Sequence, residues 1–191
     1  MKQEAWVISL KRTPERLKRF HQINGHEANE VIVIEGIDGF CDDALLRRSR
    51  YLPVEAQQKW SQGSIGSALS HLACWQRCIQ TGQAVIILED DSVLAPDWRH
   101  QLNALIDHEL PHNWEFLLLG WNYDSVLRSR DSMGTESISL FEPAYPDIGQ
   151  IRRILENPSR RVIHELLNAF GLGGYAINPA GTQGLMQRLQ E

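Results

Sequence analysis

A chain of 191 residues with a formal net charge of -5 is most simply one domain with its own core, and its acidic balance disfavours a general nucleic-acid binder, which needs a basic footprint. Three cysteines, Cys41, Cys74 and Cys78, are too few and too irregular for a disulfide framework, which points to a reducing compartment and makes the cytoplasm the expected location. No basic-then-apolar leader opens the chain and no apolar run reaches bilayer length, so at most peripheral association, at the inner face of the cytoplasmic membrane, is expected.

Ala5-Trp6-Val7-Ile8-Ser9-Leu10 reads as a first strand. Thr13, Pro14 and Glu15 then supply a cap, a proline for the first helical position and an acid for the first turn, so a helix starts there with Leu17, Phe20 and Ile23 as its apolar stripe. Val31-Ile32-Val33-Ile34 follows as a second strand, completing a right-handed βαβ unit, the opening of a nucleotide-binding type of sheet. Gly36-Ile37-Asp38-Gly39 is the turn that leaves it. From 40 to 62 periodicity is weak and Arg47, Arg48 and Arg50 gather, as in a short helix or an irregular connection.

Ser64 to Thr81 is the clearest helix: Ile65, Ala68, Leu69, Leu72, Trp75 and Ile79 make one apolar face and Gly82 supplies the stop. Gly63 and Gly66 at its start either admit a backbone or ligand closely or ease helix packing. Val85-Ile86-Ile87-Leu88 is a buried parallel strand that runs into Glu89-Asp90-Asp91. Pro96 opens a helix carrying Trp98, Leu102, Leu105 and Ile106, and Glu115 to Gly120 is another buried strand. Tyr123 to about Ile148 turns polar and reads as a mobile loop, while arginine-rich Ile151 to Phe170 reads as helix in two pieces broken near Pro158. Gly173 to Ile177 is the last strand, and Asn178-Pro179 caps a final helix through Leu189. This alternation of strands and helices fixes the class as α/β.

The acidic triplet ends its strand where, in open α/β sheets, the carboxyl edge faces the ligand crevice. Side chains alternate along a strand, so Glu89 and Asp91 are expected on one side and Asp90 on the other. Two carboxylates on one side suit a hard divalent cation such as Mn or Mg shared with a substrate's phosphates; the same residues also read as a solvated acidic turn. Lys11, Arg12 and Arg16 follow the first strand at that edge, either beside a diphosphate or as a solvated helix start. His71, Cys74 and Cys78 share a helix face, but a structural zinc wants four ligands from a knuckle, so the cysteines read as buried small residues, and Ser70 and His71 as hydrogen-bonding groups in or under a pocket. His164-Glu165 begins like a zinc-protease motif, and Asn168 stands where its second histidine belongs. Trp121 beside Asn122, after a strand's carboxyl end, is placed to stack on a sugar ring.

Taken together, Val7 to Arg12 with Arg16, Gly36 to Gly39, Gly63 to His71, Ile87 to Asp91 and Tyr175 to Ile177 with Gly181 resemble glycosyltransferase family 25, the bacterial lipooligosaccharide galactosyltransferases and their procollagen galactosyltransferase relatives. The resemblance implies a GT-A-like single Rossmann-type domain over 1–191, with a mostly parallel central sheet flanked by helices, a nucleotide-sugar half to about 95 and an acceptor half from about 96. It implies a UDP-sugar donor held by Ser9, Leu10, Arg12, Arg16, Asp38, Gly66, Ser70, His71, Glu89 and Asp90. Asp91 would hold the divalent metal, with Glu89 at the ribose or the metal shell, and a glycan or lipooligosaccharide acceptor would meet Trp121, Asn122 and Tyr175. Ser9 stands where the family usually has asparagine. The family usually continues beyond the helix after Tyr175, so a C-terminal part of its fold is expected to be missing.

The reaction so implied is an inverting displacement in which an acceptor hydroxyl attacks the anomeric carbon and UDP leaves, with Asp124 and Asp147 as candidate bases for the acceptor's proton. The alternative is a non-catalytic sugar-nucleotide binder of the same fold. A phosphate-accepting receiver domain is disfavoured, because its acid pair would end the first strand, which here ends in Ser9-Leu10-Lys11.

Overall fold

The computed structural model describes residues 3–41, 46, 49–120, 126–139, 147–156, 162–169 and 171–189. In chain order the elements are β1 (Glu4–Ser9), α1 (Pro14–Asn24), β2 (Val31–Glu35), α2 (Val54–Lys59), α3 (Gln62–Thr81), β3 (Val85–Glu89), α4 (Trp98–His108), β4 (Phe116–Gly120), β5 (Leu127–Arg130), β6 (Glu136–Ser139), α5 (Ile148–Glu156), β7 (Glu165–Ala169), β8 (Gly174–Ile177) and α6 (Pro179–Arg188).

The central sheet runs β2-β1-β3-β8-β4. β1 lies parallel to both β2 and β3, in register Trp6 with Ile32 and with Ile87. The strand period of two divides its side chains between two cores. Ala5, Val7, Ile86, Leu88 and Ala176 face α1 and α4 through Phe20, Trp98 and Leu102. Trp6, Val85, Ile87, Tyr175 and Ile177 face α3 through Cys74 and Cys78. Both faces of β3 are therefore covered, which is why its apolar run is continuous. On its outer side α3 packs Ile65, Leu69 and Leu72 against Leu52 and Ala56, which brings α2 onto the domain. Burial pushes the Cys74 thiol up to about 11, so it sits in this core as an uncharged small residue.

The ends of the helices follow local chemistry. Ser61 caps α3 by accepting the Ser64 N–H, and Gly82, at φ 65°, closes it with its N–H on Cys78 and Ile79 carbonyls. Asn178 caps α6 through the Gly181 N–H, with Pro179 in the first turn. At α1 the proline is in place, but Thr13 makes no side-chain cap bond, contrary to the cap expected of it. α4 begins at Trp98, because Asp97 adopts a left-handed φ of 54° with its N–H held by Glu27 Oε1.

Three further expectations are corrected. The sheet is mixed, not mostly parallel: β8 enters antiparallel between β3 and β4, pairing Ile177 with both Val85 and Phe116. The stretch read as a loop holds β5 and β6, joined by a turn in which Asp131 Oδ1 accepts the Met133 and Thr135 N–H groups. The second of the two expected helical pieces before Phe170 is instead strand β7, which pairs with β5 and leaves α5 as the one helix described there. The small sheet, β6-β5-β7, is polar and open, and is tied by Arg128 and Arg130 to Glu136 and by Arg130 to Glu165. Its strands carry no apolar alternation, so hydrophobic periodicity does not reveal them.

One close approach seats the end of β2 on α3. A Cβ on Gly39 would stand 1.7 Å from the Gln62 carbonyl oxygen, and one on Gly66 would stand 2.6 Å from Gly39 N and Ile37 O, so the turn after β2 lies directly on the first turns of α3. Gly63, in the same turn of helix, has no such neighbour, its nearest atom being Ser61 Oγ at 3.9 Å. Gly66→Ala is expected to lower stability in urea denaturation by about 1–3 kcal/mol through overpacking. Gly63→Ala, which gains helix propensity without a clash, should leave it unchanged or raise it by up to about 1 kcal/mol.

Candidate active site

β1, β2 and β3 are parallel, so Ser9, Glu35 and Glu89 end together at one edge of the sheet. The chain leaves β1 through α1 to β2 on one side, then passes back through α3 to β3 on the other. β1 is thus the switch point where an open α/β sheet forms a crevice. β8 runs the other way and begins at this same edge, with the Glu89 N–H donating to the Gly173 carbonyl at 3.2 Å.

Here the acidic run divides into three environments. β3 ends at Glu89, and Asp90 and Asp91 form a turn, so strict alternation stops one residue short of the pattern expected. Asp90 is buried, at 7% exposure. Its Oδ2 accepts the Ser9 hydroxyl at 2.7 Å and its Oδ1 accepts Arg16 Nε at 2.7 Å. Arg16 also reaches Asp91, Nη2 to Oδ2 at 3.1 Å, but the Asp91 side chain is 62% exposed. Hydrogen bonding to Asp90 first, and the charges of both acids after it, hold the Arg16 guanidinium still more firmly protonated than usual. Asp91 is pushed the opposite way for a carboxyl: partial desolvation and then the Glu89 charge raise it, with Arg16 opposing.

Asp91 and Glu89 are thus two carboxylates that repel each other across an accessible edge. Among the described residues no group of three or more histidine, cysteine, aspartate or glutamate side chains forms a closed metal cage. That donor set fits a Mg- or Mn-type ion held by one or two carboxylates and completed by water and substrate phosphates, and it does not fit a closed structural site.

Beside the acids, at the ends of β1 and β2, opens a cleft of about 590 Å³ lined by Lys11, Arg12, Glu35, Gly36, Ile37, Asp38 and Cys41. Each basic residue in this region has an acidic partner: Lys11 pairs with Glu35 at 2.7 Å, Arg12 Nε with Asp38 Oδ2 at 2.7 Å, and Arg16 with Asp90 and Asp91. The Arg12 guanidinium lies over the Phe40 ring at 4.6 Å. Asp38 also accepts the Phe40 N–H, and that bond, followed by Arg12, lowers its carboxyl below the usual range. A second concavity of about 470 Å³, lined by Gln3, Arg77, Thr81 and Asn178 among others, opens at the amino end of β3, away from the acids. The first cleft is the one at the same edge of the sheet as the acids.

Behind the cleft, Ser70 Oγ accepts the Ile37 N–H and donates to the Gly66 carbonyl, both at 2.7 Å. Gly66 and Ser70, expected at the donor, are buried and shape the wall from the rear. His71 is buried too, with Nε2 3.2 Å from Glu89 Oε1 and Nδ1 2.8 Å from the Tyr175 hydroxyl. Tyr175, expected to touch an acceptor, is fully buried: its ring stacks on Phe116 and its hydroxyl is engaged by Trp75 and His71. A core position in β8 leaves it nothing to present to a ligand. Leu10 is half-buried at the end of β1, packed under Gly36.

Trp121, Asn122 and Asp124 lie outside the described residues. Asp147 is exposed at the start of α5, where its carboxylate accepts the Gln150 N–H while the Gln150 side chain accepts the Asp147 N–H. The structure uses it as a helix cap and does not bring it into contact with the acidic run.

Two residues that sequence reasoning missed hold the edge together. Asn24, buried at the end of α1, donates to the Ser92 carbonyl and accepts the Leu94 N–H, pinning the turn after the acids. Its only sequence signal, an asparagine before Gly25, is that of a helix stop. Trp75, read as part of an apolar stripe, donates its indole N–H to Tyr175.

The family model described as Glycosyltransferase family 25 (LPS biosynthesis protein) matches residues 2–191. Among curated proteins, the chain is similar to "Probable inactive glycosyltransferase 25 family member 3" of Rattus norvegicus, 26% identical over 127 residues that make up 61% of this chain and 22% of that protein. It is also similar to "Inactive glycosyltransferase 25 family member 3" of Homo sapiens, 25% identical over 61% of this chain and 21% of that protein, and to "Procollagen galactosyltransferase 2" of Homo sapiens, 24% identical over 61% and 20%. The matched stretch thus spans about a fifth of the length of these relatives.

The contrast between the two aspartates is measurable without a ligand. Asp90→Ala strips Ser9 and half-buried Arg16 of their shared acceptor and is expected to cost on the order of 2 kcal/mol in chemical denaturation. Asp91→Ala removes only an exposed partner and should stay within about 0.5 kcal/mol of the parent.

Proposed function

The chain belongs to glycosyltransferase family 25, and from that premise we propose that it moves a hexose, galactose in the first instance, from a UDP-sugar to a sugar hydroxyl of a lipooligosaccharide or other glycan. The observation that carries the reading is an accessible carboxylate pair, Glu89 and Asp91, at the same edge of the sheet as an open cleft at the ends of β1 and β2. The words LPS biosynthesis in the family's description and galactosyltransferase in the name of the human relative support the acceptor class and the sugar.

In this reading the cleft between β1 and β2 takes the nucleoside end of the donor. Arg12, held flat between Asp38 and Phe40, offers it a planar cationic face. Asp91 and Glu89 would hold a divalent metal, Mn or Mg, which supplies positive charge opposite the leaving diphosphate. Arg16 keeps Asp90 as its permanent partner and leaves Asp91 to the ligand, since the first bond is part-buried and the second exposed. The acceptor hydroxyl attacks the anomeric carbon from the face opposite the diphosphate, the bond from that carbon to the diphosphate oxygen breaks with its electron pair going to UDP, and the acceptor's proton passes to a carboxylate. Asp124, just after β4, is the first candidate for that base and Asp147 the second.

A non-catalytic sugar-nucleotide binder of the same fold is the second reading, and the word inactive in the names of several relatives is what favours it. Titration calorimetry with UDP-sugars and Mn tests the site: Asp91→Ala is expected to lose Mn-dependent donor binding while its thermal unfolding stays that of the parent. Unchanged donor affinity in that variant sinks the assignment. Release of UDP in the presence of acceptor glycans separates the enzyme from the binder, which would hold the donor without turnover.

A further inference from the structure

A chain of hydrogen bonds leads from the core to the acidic run. Trp75 Nε1 donates to the Tyr175 hydroxyl at 2.8 Å, that hydroxyl lies 2.8 Å from His71 Nδ1, and His71 Nε2 lies 3.2 Å from Glu89 Oε1. The two ends set its direction. An indole nitrogen only donates, so the Tyr175 oxygen accepts from Trp75 and has one proton to give. Tyr175 is fully buried, and its phenol is pushed far above its ordinary value by that burial, so the proton stays on the residue. The acceptor that meets it among the described hydrogen bonds is His71 Nδ1. A neutral imidazole that accepts at Nδ1 carries its proton on Nε2, which faces a carboxylate oxygen able only to accept. Every donor in the chain then meets an acceptor. The other tautomer would set Nδ1–H against the phenol, strand the buried phenol proton, and turn a lone pair toward a carboxylate.

We propose that His71 is a positioning residue: its Nε2 proton, placed by Tyr175 and Trp75, holds Oε1 of Glu89 and leaves Oε2 as the oxygen offered, beside Asp91, to a divalent cation shared with a nucleoside diphosphate. This rests on the donor-site reading given above. It also gives the buried Tyr175 a place in the site, acting through His71 from a strand that enters the sheet late in the chain. The arrangement is that of an outer partner which fixes the orientation of a ligating carboxylate.

Two measurements test it. Long-range proton–nitrogen correlation spectra of the imidazole side chains, with the His71 signal identified by its absence in His71→Gln, read the tautomer in the metal-free chain. A protonated Nε2 is expected in the parent and a mixture of tautomers in Tyr175→Phe; a proton on Nδ1 in the parent overturns the proposal. Mn uptake in the presence of UDP, followed by electron paramagnetic resonance, then compares variants whose thermal unfolding is recorded alongside. His71→Leu, which keeps bulk but no donor, should weaken Mn uptake by about 10- to 100-fold. His71→Gln, whose amide N–H can reach the carboxylate, should stay close to the parent. Equal loss in both, or no loss in His71→Leu, overturns the positioning role. Should His71→Leu fail to fold, Tyr175→Phe carries the comparison, and unaltered spectra with parental uptake overturn it. A parent chain that takes up no Mn with UDP overturns the donor-site reading and the positioning role with it, whereas parental uptake unaffected in His71→Leu removes the positioning role alone.

Discussion

A carboxylate buried at a sheet edge must be paired, and the pairing of Asp90 organises everything around it. Ser9 from the end of β1 and Arg16 from the first turns of α1 converge on its two oxygens, so the strand, the helix and the turn after β3 are fixed to one another at a single point. Because Asp90 absorbs that role, its neighbours are released from it. Glu89 turns toward α3 and His71, and Asp91, partly desolvated but mostly exposed, keeps an exposed bond to Arg16. Three consecutive acids thus carry three duties, and the difference between them is burial, not residue type.

The same division runs through the two sheets. The central sheet is stabilised by apolar area removed from water on both faces, whereas the β6-β5-β7 sheet is stabilised by its ladder and by ion pairs among Arg128, Arg130, Glu136 and Glu165. Such exposed pairs contribute little individually and weaken with salt. The edge that bears the acids is therefore carried on the sheet held by apolar burial, and salt acts there only on its own exposed pairs, such as Lys11 with Glu35 and Arg16 with Asp91.

What was legible in the sequence follows from these physics. β1, β3 and α3 announce themselves because burial leaves apolar runs and apolar stripes, and Gly82 and Asn178 mark ends because their local chemistry is self-contained. The polar strands Leu127–Arg130 and Glu136–Ser139 leave no such trace. The direction of β8 is equally silent, since Gly-Tyr-Ala-Ile reads the same whether it pairs parallel or antiparallel. At the site, the acids stand out because charge ends an apolar strand so abruptly. Which acid would be buried depended on the strand yielding to a turn after Glu89, and the bond from His71 to Tyr175 joins residues 104 positions apart, a distance over which one sequence carries no signal. Gly63 and Gly66 were readable as positions of close approach; that only Gly66 is one, and that its neighbour is Gly39, was not.

The antiparallel seat of β8 between β3 and β4 also has a bearing on how the chain reaches this state. During synthesis β3 and β4 both precede the strand that joins them, so each must wait with an open hydrogen-bonding edge and uncovered side chains until Gly174–Ile177 emerges. The intervening stretch contains the small polar sheet, in which β5 pairs locally with β6 and at longer range with β7, all of it ahead of β8 in the chain. Closing the central sheet is then a single late step of high contact order, in which one short strand completes two ladders and delivers the Tyr175 hydroxyl to His71 at once. Sheet closure and the final setting of Glu89 are, in this topology, one kinetic event.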